Sequence, residues 1–160
     1  MSAALINKFY LCFQQKDFRG MQACYHPEIE FSDSVFTSLK GKRAGAMWHM
    51  LLTASSDRNE PKITFNNIDV NKDQGFCHWE ALYIFSLTGR KVHNKIDAKF
   101  IFKNGLIIRH IDTFSFWTWT RMAFGITGIV LGWSPFLKRK IRKVVGEKLD
   151  KFISKHAEYQ

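Results

Sequence analysis

Asp33, His110 and Asp112 are the residues of this 160-residue chain best placed by type and spacing for acid–base chemistry. Asp33 falls in an alternating segment, residues 28–36, on the same side as Ile29, Phe31 and Val35. His110 and Asp112 are two residues apart, so both lie on one face of a predicted strand. If both carboxylates face one apolar cavity, their different environments separate their pKa values, and His110 can share a proton with either.

Each of these residues also has a purely structural interpretation. Asp33 would then be a carboxylate at a strand end or turn that accepts hydrogen bonds from nearby backbone N–H groups. His110 and Asp112 would be a buried polar pair that satisfies itself. The sequence alone leaves both interpretations open.

Metal or cofactor chemistry is not expected. The remaining histidines have no metal-ligand spacing, so we expect no metal and no cofactor; they are His26, His49, His78, His93 and His156. Cys12, Cys24 and Cys77 form no Cys-x-x-Cys pair and are expected as small buried residues. Together with an N-terminus, residues 1–13, that lacks the pattern of a secretory signal, they favour a reducing, cytoplasmic location.

Most of the predicted helices are grouped at the start of the chain, and most of the predicted strands follow them as one block. The apolar spacing predicts helices over residues 3–15 and 41–54, with a short helix between them that is capped by Asp17 and stopped at His26-Pro27. A first short strand is predicted over residues 28–36, before the helix over residues 41–54. A polar connector, residues 55–61, leads to strands over residues 63–70, 76–87, 90–102 and 106–116, and the strand over residues 63–70 has a bulge at Asn66-Asn67. Segregated helices and strands predict an α+β fold, with the helices on one face of a curved antiparallel sheet.

Residues 1–116 form one predicted domain, and its order of elements resembles the SnoaL-like, ketosteroid isomerase-like and nuclear transport factor 2-like superfamily. The resemblance rests on the opening helix, the eight residues from Tyr25 to Asp33, Gly75 at the start of the meander, and the Asn104-Gly105 turn. It implies a cone with an internal hydrophobic pocket, and it matches Asp33 to the ketosteroid isomerase general base, which works with a Tyr and a protonated Asp in an apolar site.

The same resemblance implies that the inner face binds a small, mostly apolar molecule. Its expected pocket residues are Phe9, Phe13, Trp79, Tyr83, Ala98, Phe100, Phe114 and Phe116. Phe9 and Ala98 occupy the two positions of the ketosteroid isomerase oxyanion hole, which argues against steroid isomerisation. A cofactor-independent isomerase, cyclase, dehydratase or epoxide hydrolase remains expected, and the alternative is a non-catalytic interaction or dimerisation module.

Residues 117–160 form a predicted helical extension of the same structural unit. Of the net charge of +10, residues 138–155 carry +6, on a helix that starts at Ser134-Pro135. The uncharged run 122–137 is too short to span a bilayer. We expect a helical hairpin that closes the cone or packs on a second subunit; peripheral membrane contact is the alternative. No nucleic-acid-binding pattern is present, and a homodimer is expected from the resemblance.

Overall fold

The computed structural model describes residues 2–53, 61–85 and 87–160. Two helices open the chain, α1 (Ser2–Gln14) and α2 (Phe18–Ala23), and α3 (Lys42–Thr53) follows later. Asp17 accepts a hydrogen bond from the Gly20 N–H at 2.8 Å, which confirms it as the N-cap of α2. Met1, Ala54 and the rest of the polar connector up to residue 60 lie outside the described residues.

The six strands form one curved, unclosed sheet, so the α+β prediction is confirmed. Its order is β2-β1-β6-β5-β4-β3, and neighbouring strands are antiparallel except β1 and β6, which are parallel. The strands are β1 (Tyr25–Ser32), β2 (Leu39–Lys40), β3 (Lys62–Asn71), β4 (Gln74–Phe85), β5 (Arg90–Lys103) and β6 (Leu106–Thr113).

The predicted stop of α2 at His26-Pro27 is wrong, because α2 ends at Ala23 and Pro27 lies inside β1. The register of β1 against β6 shifts between Tyr25 and Glu30. Pro27 therefore lies where the hydrogen bonding between β1 and β6 is interrupted. Because no strand-to-strand hydrogen bond is needed there, the N–H group that proline lacks is not missed.

Two further register shifts, in the antiparallel part of the sheet, mark β-bulges. The one predicted in β3 is confirmed by a register shift between Asn66 and Asp69. A second one, between β5 and β6, was not predicted. Unbroken alternation back from Asp112 and His110 would put Ile108 and Leu106 on the inner face, but the register shifts between Ile107 and Arg109, so the fully buried Ile107 lies there instead. His110 and Asp112 follow the shift and share the inner face.

Two strand ends differ from prediction. β1 stops at Ser32, so Asp33 lies in a loop and not on a strand face. β6 stops at Thr113, because the Ser115 side chain accepts a hydrogen bond from the Thr118 N–H and begins a helix. Phe116 is therefore the first residue of that helix and not the last of a strand.

Four helical segments complete the chain: α4 (Phe116–Phe124), α5 (Ile126–Leu131), α6 (Pro135–Ile153) and a 3-10 turn (Ala157–Tyr159). Ser134 caps α6 through the Phe136 N–H, as predicted. In α6 Leu149 is fully buried in the main core, which lies between the helices and the inner face of the sheet. A second, smaller core forms where α4 meets the sheet, and it consists of Val92, Phe116, Trp119 and Ala123.

Candidate functional site

A continuous chain of hydrogen bonds crosses the core from α3 to β4. The Trp48 indole N–H donates to the Tyr25 hydroxyl at 2.8 Å, and that hydroxyl lies 2.8 Å from His110 Nδ1. His110 Nε2 lies 3.0 Å from Asp112 Oδ1, which also accepts from the Trp79 indole N–H at 3.2 Å. All five side chains are buried, so these bonds replace the water that each group loses on folding.

The order of donors and acceptors fixes where the protons lie. The Tyr25 oxygen accepts from Trp48, and within the described residues the acceptor within reach of the Tyr25 proton is His110 Nδ1. With Nδ1 accepting from Tyr25, Nε2 is the ring nitrogen that donates to Asp112. Burial raises the pKa of Tyr25, which keeps this hydroxyl protonated as the chain requires.

His110 is enclosed by aromatic rings. The ring centroids of Phe100, Phe31 and Phe9 lie 4.4, 5.1 and 5.4 Å from that of the imidazole. No part of His110 is exposed, whereas Asp112 keeps 5% of its surface accessible. Of the two residues predicted as catalytic in this chain, Asp112 is therefore the one with any exposed surface.

Asp33 forms the turn that follows β1. Its Oδ1 accepts hydrogen bonds from the backbone N–H groups of Val35 and Phe36, at 2.6 and 2.5 Å. Desolvation by burial nevertheless raises the pKa of Asp33 to about 6, since these two bonds only partly offset it. Both bonds use Oδ1, so Oδ2 is the oxygen on which a proton can come and go.

The three predicted catalytic residues lie at neighbouring positions, and one pair is in direct contact. His110 and Asp112 are bonded to each other, but no hydrogen bond among the described residues joins Asp33 to either. The charge on Asp112 still contributes to the raised pKa of Asp33, and His110 acts in the opposite direction. Parallel pairing explains the proximity, because Ser32 lies opposite Ile111, one residue before Asp33 and Asp112 respectively.

The fully buried Tyr10 hydroxyl is the one buried side-chain oxygen or nitrogen, within the described ranges, that has no hydrogen-bond partner. The Cys77 thiol interacts with it weakly, without the geometry of a hydrogen bond, and donates instead to the Asn66 carbonyl at 3.4 Å. Burial is the main cause of the raised pKa of Tyr10, and the charge of Asp112 adds to it. An orphaned hydroxyl in the same electrostatic environment as Asp112 is a donor available to a ligand or water.

The predicted pocket residues divide between three locations. Five belong to the main core: Phe9, Phe13, Trp79, Ala98 and Phe100. Tyr83 and Phe114 are partly buried between the two cores, and Phe116 belongs to the second core. Ala98 pairs with Asp112 across β5 and β6, and Phe100 pairs with His110, so both lie beside the polar chain.

Sequence reasoning missed Tyr25, Trp48 and Tyr10 as members of this site. Tyr25 and Trp48 each carry one polar group that needs a partner when buried, which is a signal that the sequence does contain. The apolar spacing of α1 puts Tyr10 on the same helix face as Phe9, but the family resemblance points to Phe9 alone as a pocket residue. The fold turns both Phe9 and Tyr10 inward.

Within the described residues, no group of three His, Cys, Asp or Glu side chains is arranged to hold a metal ion. Cys12, Cys24 and Cys77 are free thiols. Burial raises the pKa of Cys24 to about 11 and that of Cys77 to about 12, so these two thiols are poor nucleophiles at neutral pH.

Comparison with known families assigns this architecture. The SnoaL-like domain family matches the chain over residues 6–110, and the chain therefore belongs to that family. The match contains Asp33 and ends at His110, so Asp112 and the C-terminal extension lie beyond it. None of the curated proteins compared with the chain matches it.

Solved structures share the fold at low sequence identity. An epoxide hydrolase from M. tuberculosis described as LEH-like is 16% identical with a TM-score of 0.59, and the match covers 80% of this chain and 91% of that one. A putative polyketide cyclase from Silicibacter sp. is 14% identical with a TM-score of 0.64, covering 74% and 92%. A ketosteroid isomerase-like protein from Catenulispora acidiphila, in complex with trimethylamine, is 8% identical with a TM-score of 0.63, covering 74% and 91%.

Proposed function

We propose that this SnoaL-like protein binds a small, mostly apolar molecule and performs cofactor-independent acid–base chemistry on it with Asp33 and Asp112. Isomerisation, cyclisation, dehydration and epoxide opening all need a proton removed at one point of the substrate and returned at another. Two carboxyl groups in unlike environments supply these two functions. Two proteins that share this fold, an epoxide hydrolase and a putative polyketide cyclase, have activities within this range.

The environment of Asp33 is the observation that carries the proposal. An asparagine would accept the same two backbone hydrogen bonds through its side-chain oxygen without burying an ionisable group. The carboxyl group of Asp33 is desolvated, and its pKa of about 6 lies near neutral pH, where a general base works best. The two backbone hydrogen bonds of the turn therefore explain why position 33 carries a side-chain acceptor. They do not explain why this acceptor is an ionisable carboxyl group.

His110 serves as a positioning residue in this proposal. It is fully buried and holds Asp112 Oδ1 from behind, while the other carboxylate oxygen of Asp112 is left for the substrate. The unpartnered Tyr10 hydroxyl is the donor that would stabilise negative charge on a substrate oxygen. Phe9 fills the oxyanion-hole position implied by the family resemblance, and Tyr10 would supply the hydroxyl instead.

The test is turnover of a panel of terpene-sized epoxides and cyclic enones, followed by NMR in D₂O to detect hydrogen exchange and diol formation. We expect Asp33→Asn and Asp112→Asn to lower turnover about 100-fold while keeping the fold, because asparagine retains the hydrogen bonds but holds no exchangeable acid proton. Tyr10→Phe should lower turnover without lowering stability.

The exposed turn residue Asp73 provides the matched control, and Asp73→Asn should leave turnover unchanged. Undiminished turnover in Asp33→Asn and Asp112→Asn would overturn the assignment of the two carboxylates. Failure of every panel member to bind or react with the folded wild-type protein would overturn the proposed ligand class.

A non-catalytic interaction module is the second candidate function, and the close packing of aromatic rings around His110 favours it. A homodimer would use the outer face of β4 and β5, where Glu80 binds His78, His93 and Lys95. Light scattering of the purified chain tests this assembly. A dimer that Glu80→Ala dissociates supports it, and a monomer at all concentrations contradicts it.

A further inference from the structure

The hairpin of α4 and α5, with the start of α6, carries a surface that the acid–base proposal does not use. We call the exposed side chains Trp117, Ile126, Ile129, Val130, Leu131, Trp133 and Phe136 the apolar corner. Their exposure ranges from 40% for Trp117 to 75% for Trp133 and 80% for Ile126. A protein surface ordinarily exposes large apolar side chains singly, whereas here seven of them lie within 20 residues of chain.

Glycine contacts explain why these side chains point outward. Gly128 is the buried residue of α5, and a Cβ atom there would overlap the Thr120 carbonyl oxygen of α4. A Cβ atom at Gly132 would overlap Thr120 Oγ1. Both glycines therefore allow α5 to pack closely against α4. Because α5 uses its glycine side to pack, its large side chains are left on the other side.

Basic residues border the apolar corner. Residues 113–146 contain six Lys or Arg and no acidic residue. Phe136, Arg139, Lys140 and Lys143 line a surface groove at the start of α6. Lys143 reaches Glu147 at 4.0 Å, but within the part of the chain that the structure describes no carboxylate pairs with Arg139 or Lys140.

We infer that the apolar corner seats on an anionic phospholipid bilayer, with Trp133 and Phe136 at headgroup depth and Arg139, Lys140 and Lys143 against lipid phosphates. Apolar and aromatic side chains next to clustered cations are the chemistry that an anionic membrane surface binds. No helix of the described residues is long and apolar enough to cross a bilayer, so the contact is interfacial.

Charge complementarity favours lipid over a second copy of this chain. A two-fold contact through the apolar corner would bring the Arg139, Lys140 and Lys143 groups of both copies together, without acidic residues between 113 and 146 to pair with them. A bilayer containing phosphatidylserine presents the opposite charge over the whole surface.

Sedimentation with vesicles tests the inference on the full chain. Vesicles of phosphatidylcholine with about 30% phosphatidylserine should pull the protein down at low salt, and binding should weaken at high salt. Pure phosphatidylcholine vesicles should bind it much more weakly. Trp133→Ser with Phe136→Ser, and separately Arg139→Gln with Lys140→Gln, should each lower binding about tenfold or more.

Matched controls lie outside the apolar corner, on β3, on β4 and in the turn between them. Phe76 is 41% exposed and Lys62 and Lys72 are exposed, so Phe76→Ser and the pair Lys62→Gln with Lys72→Gln should bind vesicles like the wild type. Tryptophan fluorescence provides a second measurement, which detects membrane contact of the wild-type protein directly and does not depend on a variant that binds less. Wild-type tryptophan emission should shift to shorter wavelength on vesicles and be quenched by brominated lipids, and Trp133→Phe should reduce both effects.

The absence of sedimentation with phosphatidylserine vesicles at low salt would overturn the inference. So would equal loss of binding in the corner variants and their controls. If the apolar corner variants instead convert a dimer into a monomer in light scattering, and vesicles do not bind the wild type, the surface is an interface between copies. The vesicle-binding and light-scattering results do not depend on whether the protein turns over a substrate. Failure of this inference can therefore be distinguished from failure of the proposed function.

Discussion

Aromatic side chains are enclosed on the inner face of the sheet and exposed on the apolar corner. Phe9 and Phe100 are completely buried, whereas Trp133 and Phe136 are 75% and 68% exposed. On the inner face the polar groups are mostly bonded to one another, through His110 and its neighbours. At the apolar corner the charged groups surround the apolar ones and face water. The same residue types therefore serve packing in the first region and contact with an outside surface in the second.

The energetic consequence is that the two regions should respond very differently to truncation. A buried side chain in a hydrogen-bonded chain loses packing and leaves partners unsatisfied when it is removed. An exposed side chain in water loses little. Stability measurements on matched substitutions can therefore separate a structural region from one that is free to bind.

Removal of the His110 ring is expected to have the largest effect. His110→Ala leaves a cavity among Phe9, Phe31 and Phe100 and deprives the Tyr25 hydroxyl of its acceptor, so the free energy of unfolding should fall by about 4 kcal/mol. Urea denaturation followed by circular dichroism measures it. Phe136→Ala is the matched substitution at the apolar corner and should change stability by less than about 0.5 kcal/mol. Equal losses in the two variants would remove the contrast between the regions.

A methyl group at Gly128 is expected to have the next largest effect. Gly128→Ala places a Cβ atom against the Thr120 backbone, and α5 can accommodate it only by moving, at a cost of about 2 kcal/mol. A Cβ atom at Gly146 in α6 would have no other atom within 4 Å, so Gly146→Ala should stabilise by about 0.5 to 1 kcal/mol through helix propensity. Thermal unfolding compares the pair, and opposite signs are expected. A stabilising Gly128→Ala would contradict the tight packing of α5 on α4.

Replacement of Asp33 is expected to have the smallest effect, and of the opposite sign to that of His110. The folded protein raises the pKa of Asp33 to about 6 through burial, from an ordinary value of 3.8. Between these values the folded state holds more protons than the unfolded state, so wild-type stability falls as the pH rises from about 4 to about 6. Asp33→Asn should remove this part of the slope. The shift of the Asp33 pKa sets an upper bound of about 3 kcal/mol on the gain in stability at pH 7, and the weaker hydrogen bonds that an amide oxygen accepts should reduce the gain to about 1 kcal/mol.

Urea denaturation at a series of pH values measures the Asp33 effect. Asp73→Asn, in the exposed turn between β3 and β4, should leave the slope as in the wild type. If Asp33→Asn is instead destabilised at pH 7, the carboxylate stabilises the turn by its charge, and the argument that its ionisable group has a functional purpose fails.

Local patterns were sufficient for most elements of this fold. The apolar spacing of α1, the Asp17 and Ser134 caps and the bulge in β3 depend on neighbours in sequence, and all four are confirmed. The ends of β1 and β6 were less predictable, because Asp33 and Ser115 compete with the strands through side-chain hydrogen bonds whose outcome depends on the folded context.

The sequence by itself determined that Asp33, His110 and Asp112 are polar residues in apolar surroundings and that the positive charge is concentrated near the C-terminus. Only the tertiary structure decided that Tyr25 and Trp48 complete the chain of hydrogen bonds. Tyr25 comes from β1 and meets His110 across 85 residues of sequence, and Trp48 comes from α3 and meets Tyr25 across 23. It also decided which apolar residues of the extension stay in water. That outcome depends on glycine contacts between α4 and α5, and residue type alone does not reveal them.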